Sequence, residues 1–267
     1  MRLGERYAYT GGKPFDPALP CVVFVHGALH DHSVWTLVAR WFAHHGRSVL
    51  AVDLPGHGRS GGPPLASVEA MADWLLGVLD AAGVARAALV GHSMGSLVAL
   101  EAAARRPEAC ERLVLVATAD PMAVSPKLLE SARTTTDRAI ADVNVFSHAT
   151  TASKPSFPGP GAWLHGANAA LMHRTLAGAR AAGGEDNLFV VDFRACDAYR
   201  RGIEAAARVT ARTTLVLGRD DRMTSPKATA GLVAALRAET VILPAGHALM
   251  TEAPDAFLAA LRTALAP

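Results

Sequence analysis

The stretch LVGHSMGSLVALEAAARRPE, residues 89–108, joins an apolar run to a helical pattern through a short glycine-flanked turn. The run over 86–91 has the composition of a buried strand, and the pattern over 94–106 has helical spacing. Ser93 lies between the two. Such a turn raises a side chain above the end of a strand, next to a helix N-terminus where the backbone N–H of Met94 favours negative charge. The pattern therefore predicts Ser93 as a nucleophile.

The alternation of strand and helix continues in both directions from this turn. Strand candidates lie at 21–25, 48–53, 86–91, 112–117, 213–218 and 239–243, and helical patterns at 34–45, 67–82, 94–106 and 254–265. Strands that are apolar throughout and alternate with helices predict an α/β fold, with a parallel sheet covered on both faces. Such a sheet carries its site in the loops at the carboxyl ends of its strands.

The alternation breaks between residues 119 and 207. This segment contains SKPSFPGPGAW (153–163), which is dense in Pro and Gly and is flanked by alanine-rich helical patterns. A structureless loop of this length is uncommon in a compact domain. We therefore predict a helical cap inserted over 119–207, with the core formed by 1–118 and 208–267. Disorder is the alternative, and apolar residues throughout the segment disfavour it.

Composition and charge narrow the function classes. The 267 residues are 51% hydrophobic, and 26 basic against 24 acidic residues give a net charge of +2. This balance argues against nucleic acid or an anionic membrane as the main partner. We expect a cytoplasmic protein, because no N-terminal signal pattern or 18-residue apolar run is present. Three widely spaced cysteines favour neither a disulfide framework nor a zinc site.

A serine nucleophile needs a base and a group that orients the base. Among 11 histidines, His247 is preferred because it follows the last strand candidate. Asp221, in the GRDD segment after the fifth candidate, can accept a hydrogen bond from the histidine ring. Two other acids remain as alternatives: the adjacent Asp220, and Asp120 after the fourth candidate. No cofactor is needed for this chemistry.

The HGAL segment after the first strand candidate can supply a second backbone N–H to an oxyanion hole, beside that of Met94. Ala28 is the preferred donor. Backbone donors are indifferent to side chain, so Leu29 remains the alternative.

Substrate and metal contacts have weaker signals. We assign substrate contacts to Leu29, Trp163 and His165, although the residues of the predicted cap could equally form its own small core. The HxH pattern of His30 and His32 could bind zinc. Residues in such a loop are usually polar filler, and we expect no metal.

Five segments together resemble the α/β-hydrolase superfamily: VVFVHGALHDHSVW (22–35), VLAVDLPGHGRS (49–60), LVGHSMGSLVALEAAARRPE (89–108), TLVLGRDDRMTSP (214–226) and GHALMTEAPDAF (246–257). They span the chain outside the predicted cap, in the family's order. The resemblance implies an α/β-hydrolase fold with a mostly parallel eight-stranded sheet and a cap inserted after the strand at 112–117. It also implies a triad of Ser93, Asp221 and His247, with Ala28 and Met94 as oxyanion donors.

The serine nucleophile excludes relatives that resemble haloalkane dehalogenases and epoxide hydrolases, which use an aspartate. The leading hypothesis is a cofactor-independent carboxylic ester hydrolase that cleaves a small ester or lactone through an acyl-enzyme on Ser93. Two alternatives stay open: a carbon–carbon bond hydrolase or lyase with the same triad, and a non-catalytic receptor for a small ligand. The sequence does not indicate the oligomeric state.

Overall fold

The computed structural model describes residues 1–181 and 187–266. Residues 182–186 of the predicted cap, and Pro267, lie outside the described residues. One sheet contains eight strands: β1 (Arg2–Leu3), β2 (Arg6–Tyr9), β3 (Cys21–Val25), β4 (Ser48–Asp53), β5 (Ala87–His92), β6 (Cys110–Val116), β7 (Arg212–Gly218) and β8 (Glu239–Leu243).

The strand order is β1-β2-β4-β3-β5-β6-β7-β8. The hairpin strand β2 joins β4 antiparallel, and every pair from β4 to β8 is parallel. All six strands expected from the apolar runs are present, with ends within two residues. The predicted α/β-hydrolase fold with a mostly parallel eight-stranded sheet is confirmed.

The helices in the described part of the chain are α1 (Thr36–Ala43), α2 (Val68–Ala81), α3 (Met94–Arg105), α4 (Pro126–Thr134), α5 (Thr136–Ser147), α6 (Leu164–Ala181), α7 (Leu188–Ala198), α8 (Gly202–Ala206), α9 (Ala230–Leu236), α10 (Leu249–Glu252) and α11 (Pro254–Ala264). Local signals start several of them. For example, the side chain of Ser67 accepts a hydrogen bond from the N–H of Ala70 at the beginning of α2. The side chain of Ser125 accepts one from the N–H of Leu128 at the beginning of α4. No helix among these is long and apolar enough to cross a membrane.

Alternate residues of each central strand lie on opposite faces of the sheet and pack into two separate hydrophobic cores. In β3, Val23 and Val25 pack with α2 and α3 on one face, whereas Val22 and Phe24 pack with α1 and α11 on the other. All four side chains are fully buried. Each such burial stabilises the fold by roughly 1.5–3 kcal/mol. This covering of both faces explains why the strands are apolar throughout.

Five helices, α4–α8, lie between β6 and β7, in the segment predicted to form the cap. Side chains of α4–α7 form a third cluster that also includes Leu29 from the loop after β3. Cys196, Tyr199 and Ala205 belong instead to the core beneath α3. The inserted helices therefore share part of the main core, and the division of the chain into two domains stays a prediction.

Candidate active site

Ser93 occupies a strained turn between β5 and α3. Its backbone has φ +52° and ψ −122°, a conformation that costs a non-glycine residue roughly 1–3 kcal/mol. The Ser93 N–H donates to the carbonyl of Val116 at 2.9 Å, which ties the turn to β6. A Cβ at Gly91 would collide with the Gly95 carbonyl, and one at Gly95 with the Val25 carbonyl. Only glycine at these two positions lets α3 approach the strands this closely.

His247 and Asp221 form a buried pair in the loops after β8 and β7. Nδ1 of His247 lies 2.8 Å from Oδ2 of Asp221. The backbone N–H groups of Met223 and Thr224 donate to Oδ1 of Asp221, and the Thr224 hydroxyl donates to its Oδ2, each at 2.8 Å. Burial opposes ionisation of Asp221, but the charge and hydrogen bond of His247 and the Thr224 donors outweigh it and lower the pKa.

This arrangement fixes the tautomer of His247. An ionised Asp221 only accepts hydrogen bonds, so Nδ1 of His247 carries the hydrogen and Nε2 keeps its lone pair. Nε2 is then the nitrogen available as a base. The adjacent Asp220 is exposed. The carboxylate of Asp120 lies against Gly202 at the start of α8. Of the three candidate acids, the structure pairs Asp221 with His247.

The loop carrying His247 is held by the inserted helices as well as by the core. The backbone N–H of His247 donates to the carbonyl of Ser147, the last residue of α5, at 2.7 Å. The carboxylate of Glu252 accepts the N–H groups of Gly246 at 3.1 Å and of Ala149 at 2.9 Å. Burial raises the pKa of Glu252 above its ordinary value. These bonds fix the position of the histidine backbone.

His92, the residue before Ser93, also supports this loop. Its Nε2 donates to the carbonyl of His247 at 2.9 Å, and the two rings are 4.8 Å apart. Burial lowers the pKa of His92 well below its ordinary value, with His247 adding to the effect. His92 is therefore a neutral donor that orients the neighbouring histidine.

Three backbone N–H groups near Ser93 have different surroundings. The N–H of Leu29 donates to Oδ2 of Asp192 in α7 at 2.9 Å. No protein group in the described part of the chain accepts a hydrogen bond from Ala28 N–H. Met94 is the first residue of α3, where an N–H has no intrahelical partner. Among the described residues, the N–H groups of Ala28 and Met94 thus have no acceptor and are free to donate a hydrogen bond.

A cavity of about 60 Å³ lies beside Ser93 and His247. Its apolar wall is formed mainly by Val124, Val143, Met172, Phe193 and Met223. It adjoins a larger groove of about 890 Å³ next to α4 and α5. Five residues line both spaces: Ala123, Val124, Val143, Phe193 and Met223. Charged residues line the outer groove: Lys127, Glu130, Arg138, Asp142 and Arg222. A small apolar chamber thus meets a wide polar-rimmed groove.

The structure does not bring the three predicted substrate contacts to this cavity. Leu29 is fully buried among Met172 and other residues of the inserted helices. Trp163 is 57% exposed. His165 lies against His148, with ring centroids 4.6 Å apart. The expectation for these residues came from hydrophobicity and sequence position, which do not determine which face of a helix meets the cavity.

Within residues 1–181 and 187–266, the group most suited to a metal is Asp31, His32 and Asp53, whose ligand atoms lie within 4.8 Å of one another. Protein groups already contact all three. Nδ1 of His32 lies 2.8 Å from Asp53, and Arg174 donates to Asp31 at 2.8 Å. The absence of a metal stays an expectation.

Sequence reasoning missed three residues that organise the site. Thr224 stands three residues after Asp221, a spacing typical of side-chain turns, and could have been found. Asp192 interrupts the apolar run LFVVDF (188–193), and a lone acid in such a run is a sign of a buried polar contact. Glu252 carries no such signal.

The residues that build the site lie within the part of the chain that matches a known family. The profile of the family described as alpha/beta hydrolase fold matches residues 20–254. The sn-1-specific diacylglycerol lipase ABHD11 of Mus musculus is 42% identical over 102 residues, which are 38% of this chain and 33% of that protein. The chain matches about a third of the length of such curated relatives.

Two solved structures have a similar fold across most of the chain. A hydrolase from Pseudomonas aeruginosa PA01 superposes with a TM-score of 0.78 and 20% identity, over 95% of this chain and 92% of that one. The enol-lactonase from Burkholderia xenovorans LB400 superposes with a TM-score of 0.74 and 23% identity, over 93% and 92% of the two chains. Identities this low indicate a shared fold alone.

Proposed function

The chain belongs to the α/β-hydrolase family, and from this premise we propose that it hydrolyses small carboxylic esters or lactones through an acyl-enzyme on Ser93. One observation carries the proposal. The buried Asp221–His247 hydrogen bond of 2.8 Å stands beside a serine in a strained turn, and Ser93 and His247 line the same cavity. A nucleophile, a base and a group orienting the base are the parts that acyl transfer requires.

In the first half of the reaction, the Ser93 hydroxyl attacks the carbonyl carbon while Nε2 of His247 takes its proton. Asp221 stabilises the imidazolium that forms. The N–H groups of Ala28 and Met94 hold the carbonyl oxygen as it becomes an oxyanion, and one such donor contributes roughly 10²–10³-fold to kcat. His247 then gives its proton to the departing alcohol oxygen, and the ester bond breaks.

In the second half, water replaces the alcohol. His247 takes a proton from the water as the water oxygen attacks the acyl carbon, and the same two N–H groups hold the second oxyanion. Collapse returns the proton to Ser93 and releases the carboxylic acid. In a lactone the departing alcohol stays attached to the acyl group, so a hydroxy acid is the single product.

The choice of Ala28 over Leu29 as oxyanion donor is supported by hydrogen bonding. The N–H of Leu29 is already engaged by Asp192, whereas that of Ala28 has no acceptor in the described residues. An N–H that already donates to a buried carboxylate is a poor donor to a substrate, because the carboxylate would lose a partner.

The cavity dimensions favour substrates with a short acyl group, attached to the carbonyl carbon that Ser93 attacks. The space beside Ser93 measures about 60 Å³ and is far smaller than the adjoining groove of about 890 Å³. A longer arm of the substrate would have to pass Val143 and Phe193 into the groove. We therefore expect short acyl groups, with the bulkier portion of the substrate lying in the groove.

Turnover of p-nitrophenyl esters from acetyl to palmitoyl, and of simple lactones, tests the proposal, with Ser93→Ala in parallel. We expect a preference for short acyl groups, and loss of up to about 10⁶-fold in kcat in the variant. Full activity in Ser93→Ala would refute the assignment of the nucleophile. No turnover of any ester or lactone by the wild type would favour carbon–carbon bond substrates or ligand binding.

A further inference from the structure

Asp192 is a fully buried carboxylate in the inserted helix α7. Its Oδ2 accepts two hydrogen bonds of 2.9 Å, one from the N–H of Leu29 after β3 and one from Nε2 of His57 after β4. A buried charge is expensive unless donors surround it. Oδ2 of Asp192 therefore obtains its donors by joining α7 to two loops at the carboxyl edge of the sheet, whereas Oδ1 is buried without a partner among the described residues.

His57 is held as a donor at both ring nitrogens. Its Nδ1 lies 3.0 Å from the carbonyl of Pro55, which can only accept a hydrogen bond, and its Nε2 faces Asp192. Nδ1 therefore carries hydrogen, and beside an ionised Asp192 the Nε2 atom carries hydrogen as well, so that the ring is an imidazolium. Burial opposes this charge, but the charge and hydrogen bond of Asp192 raise the pKa of His57 above its ordinary value. His57 and Asp192 thus form a buried ion pair.

The peptide that Asp192 holds is strained. Leu29 has φ +54°, in the left-handed region that costs a residue with a side chain roughly 1–2 kcal/mol. Its N–H belongs to the peptide that directly follows Ala28. The bond to Asp192 fixes the plane of this peptide and so restricts the rotation of Ala28, whose own N–H is the proposed oxyanion donor.

We propose that Asp192, held in place by His57, is a positioning residue for the oxyanion hole. It orients the peptide after Ala28 so that the Ala28 N–H already points at the site before the oxyanion forms. Helix α7 would then be part of the hydrolytic site, in addition to covering it. The inference rests on the proposed function, since it assumes that Ala28 stabilises an oxyanion.

A second buried carboxylate provides a matched control. Glu101 in α3 is fully buried and accepts a hydrogen bond of 2.8 Å from the hydroxyl of Tyr199, which follows α7. This contact also joins the inserted segment to the core. It lies about two helical turns beyond Ser93 and touches neither loop of the proposed oxyanion hole. Loss of either contact should weaken the fold, but only loss of the Asp192 contact should affect the oxyanion.

The test compares Asp192→Asn and Glu101→Gln in two measurements: ester hydrolysis, and binding of a trifluoromethyl ketone. Ser93 adds to the ketone carbonyl, its proton goes to His247, and the oxyanion formed needs the same donors as the transition state. In Asp192→Asn we expect kcat to fall about 100-fold and KM to change less than about threefold. A misplaced oxyanion donor slows the reaction of bound substrate, whereas it has little effect on how much substrate is bound. Ketone affinity should fall by a similar factor. Glu101→Gln should keep kcat and ketone affinity within about twofold.

A second variant, His57→Gln, keeps a donor to Asp192 but removes the positive charge. It provides the same comparison if Asp192→Asn does not fold, and we expect a drop in kcat of about tenfold. If the folded variant at either position keeps kcat and ketone affinity within twofold of wild type, the inference is overturned. If the wild type itself neither turns over esters nor binds the ketone, the proposed function fails instead. The two failures are therefore distinguishable.

Discussion

The two sides of the cavity are built by different means. On the sheet side, Ser93 directly follows β5, and Asp221 and His247 lie three and four residues beyond the ends of β7 and β8. Hydrogen bonds to β6 and to nearby Thr224 hold Ser93 and Asp221, and the His247 loop is bonded in addition to the end of α5. On the side of the inserted helices, Asp192 reaches Leu29 and His57, which are 163 and 135 residues away in the chain. In the proposed mechanism, the sheet edge supplies the reacting groups. The inserted helices supply the walls of the cavity and the contacts that hold its loops.

The largest expected effect concerns the sheet side. Asp221→Asn should lower kcat about 10⁴-fold, because an amide no longer holds the His247 tautomer or stabilises the imidazolium. Steady-state hydrolysis of the preferred ester measures this. Asp220→Asn is the matched control, since Asp220 is the adjacent but exposed acid, and it should stay within about twofold of wild type. A large loss in Asp220→Asn with none in Asp221→Asn would reverse the assignment.

A pH-dependent effect on stability is expected where the two sides meet. The folded pKa of His57 is raised, so the stability from its pair with Asp192 is fully present below the unfolded value of 6.5 and is lost as pH rises through the folded pKa. Breaking such a pair costs about 3 kcal/mol. Other titratable groups near the ring, among the described residues, include Asp53, His30 and His26, and the ring centroid of His26 lies 4.8 Å away.

Urea unfolding of wild type and His57→Gln between pH 5 and 10 measures this dependence. The difference in unfolding free energy should be greatest at low pH and shrink at high pH. A difference that is constant across the whole range would show that the ring charge contributes nothing to stability.

A smaller effect should appear at the boundary between the cavity and the groove. Val143 is buried and lines both spaces, so Val143→Ala should open the passage between them. We expect kcat/KM for octanoyl relative to acetyl esters to rise about tenfold, since one methylene in a pocket changes specificity by roughly 10–200-fold. Val145→Ala, on the same helix but 50% exposed, is the control and should leave the ratio unchanged. An unchanged ratio in Val143→Ala would place the substrate arm elsewhere.

The smallest effect is expected at Trp163. Because its side chain is 57% exposed and lies outside the cavity, Trp163→Ala should change kcat and KM by less than about twofold. A tenfold rise in KM would instead restore the interpretation from sequence that this tryptophan contacts substrate.

The parts of the fold that the sequence predicted are those with local causes. Buried parallel strands such as β3 are apolar throughout, so their positions were evident. The edge strands β1 and β2 have two and four residues and are largely not buried, and no apolar run identifies them. Their presence was implied only by the family resemblance.

The site divides in the same way. Ser93, Asp221 and His247 have neighbours in sequence from which their proposed roles were predicted, but Asp192 and Glu252 contact partners that come from distant segments of the chain. Periodicity and turn chemistry are local properties of the chain and do not encode such contacts. For the same reason, the sequence could not distinguish Ala28 from Leu29, whose backbone N–H groups differ only in what lies opposite them.

The covalent state of Ser93 is the most direct test of the central claim. A fluorophosphonate should phosphonylate the serine oxygen with loss of fluoride, and the tryptic peptide that follows Arg86 and ends at Arg105 should gain the corresponding mass. Fragmentation distinguishes Ser93 from Ser96 in this peptide. We predict a label on Ser93 that is absent from Ser93→Ala and strongly slowed in Asp221→Asn. Equal labelling of wild type and Ser93→Ala, or a label on Ser96, would contradict the assignment of the nucleophile.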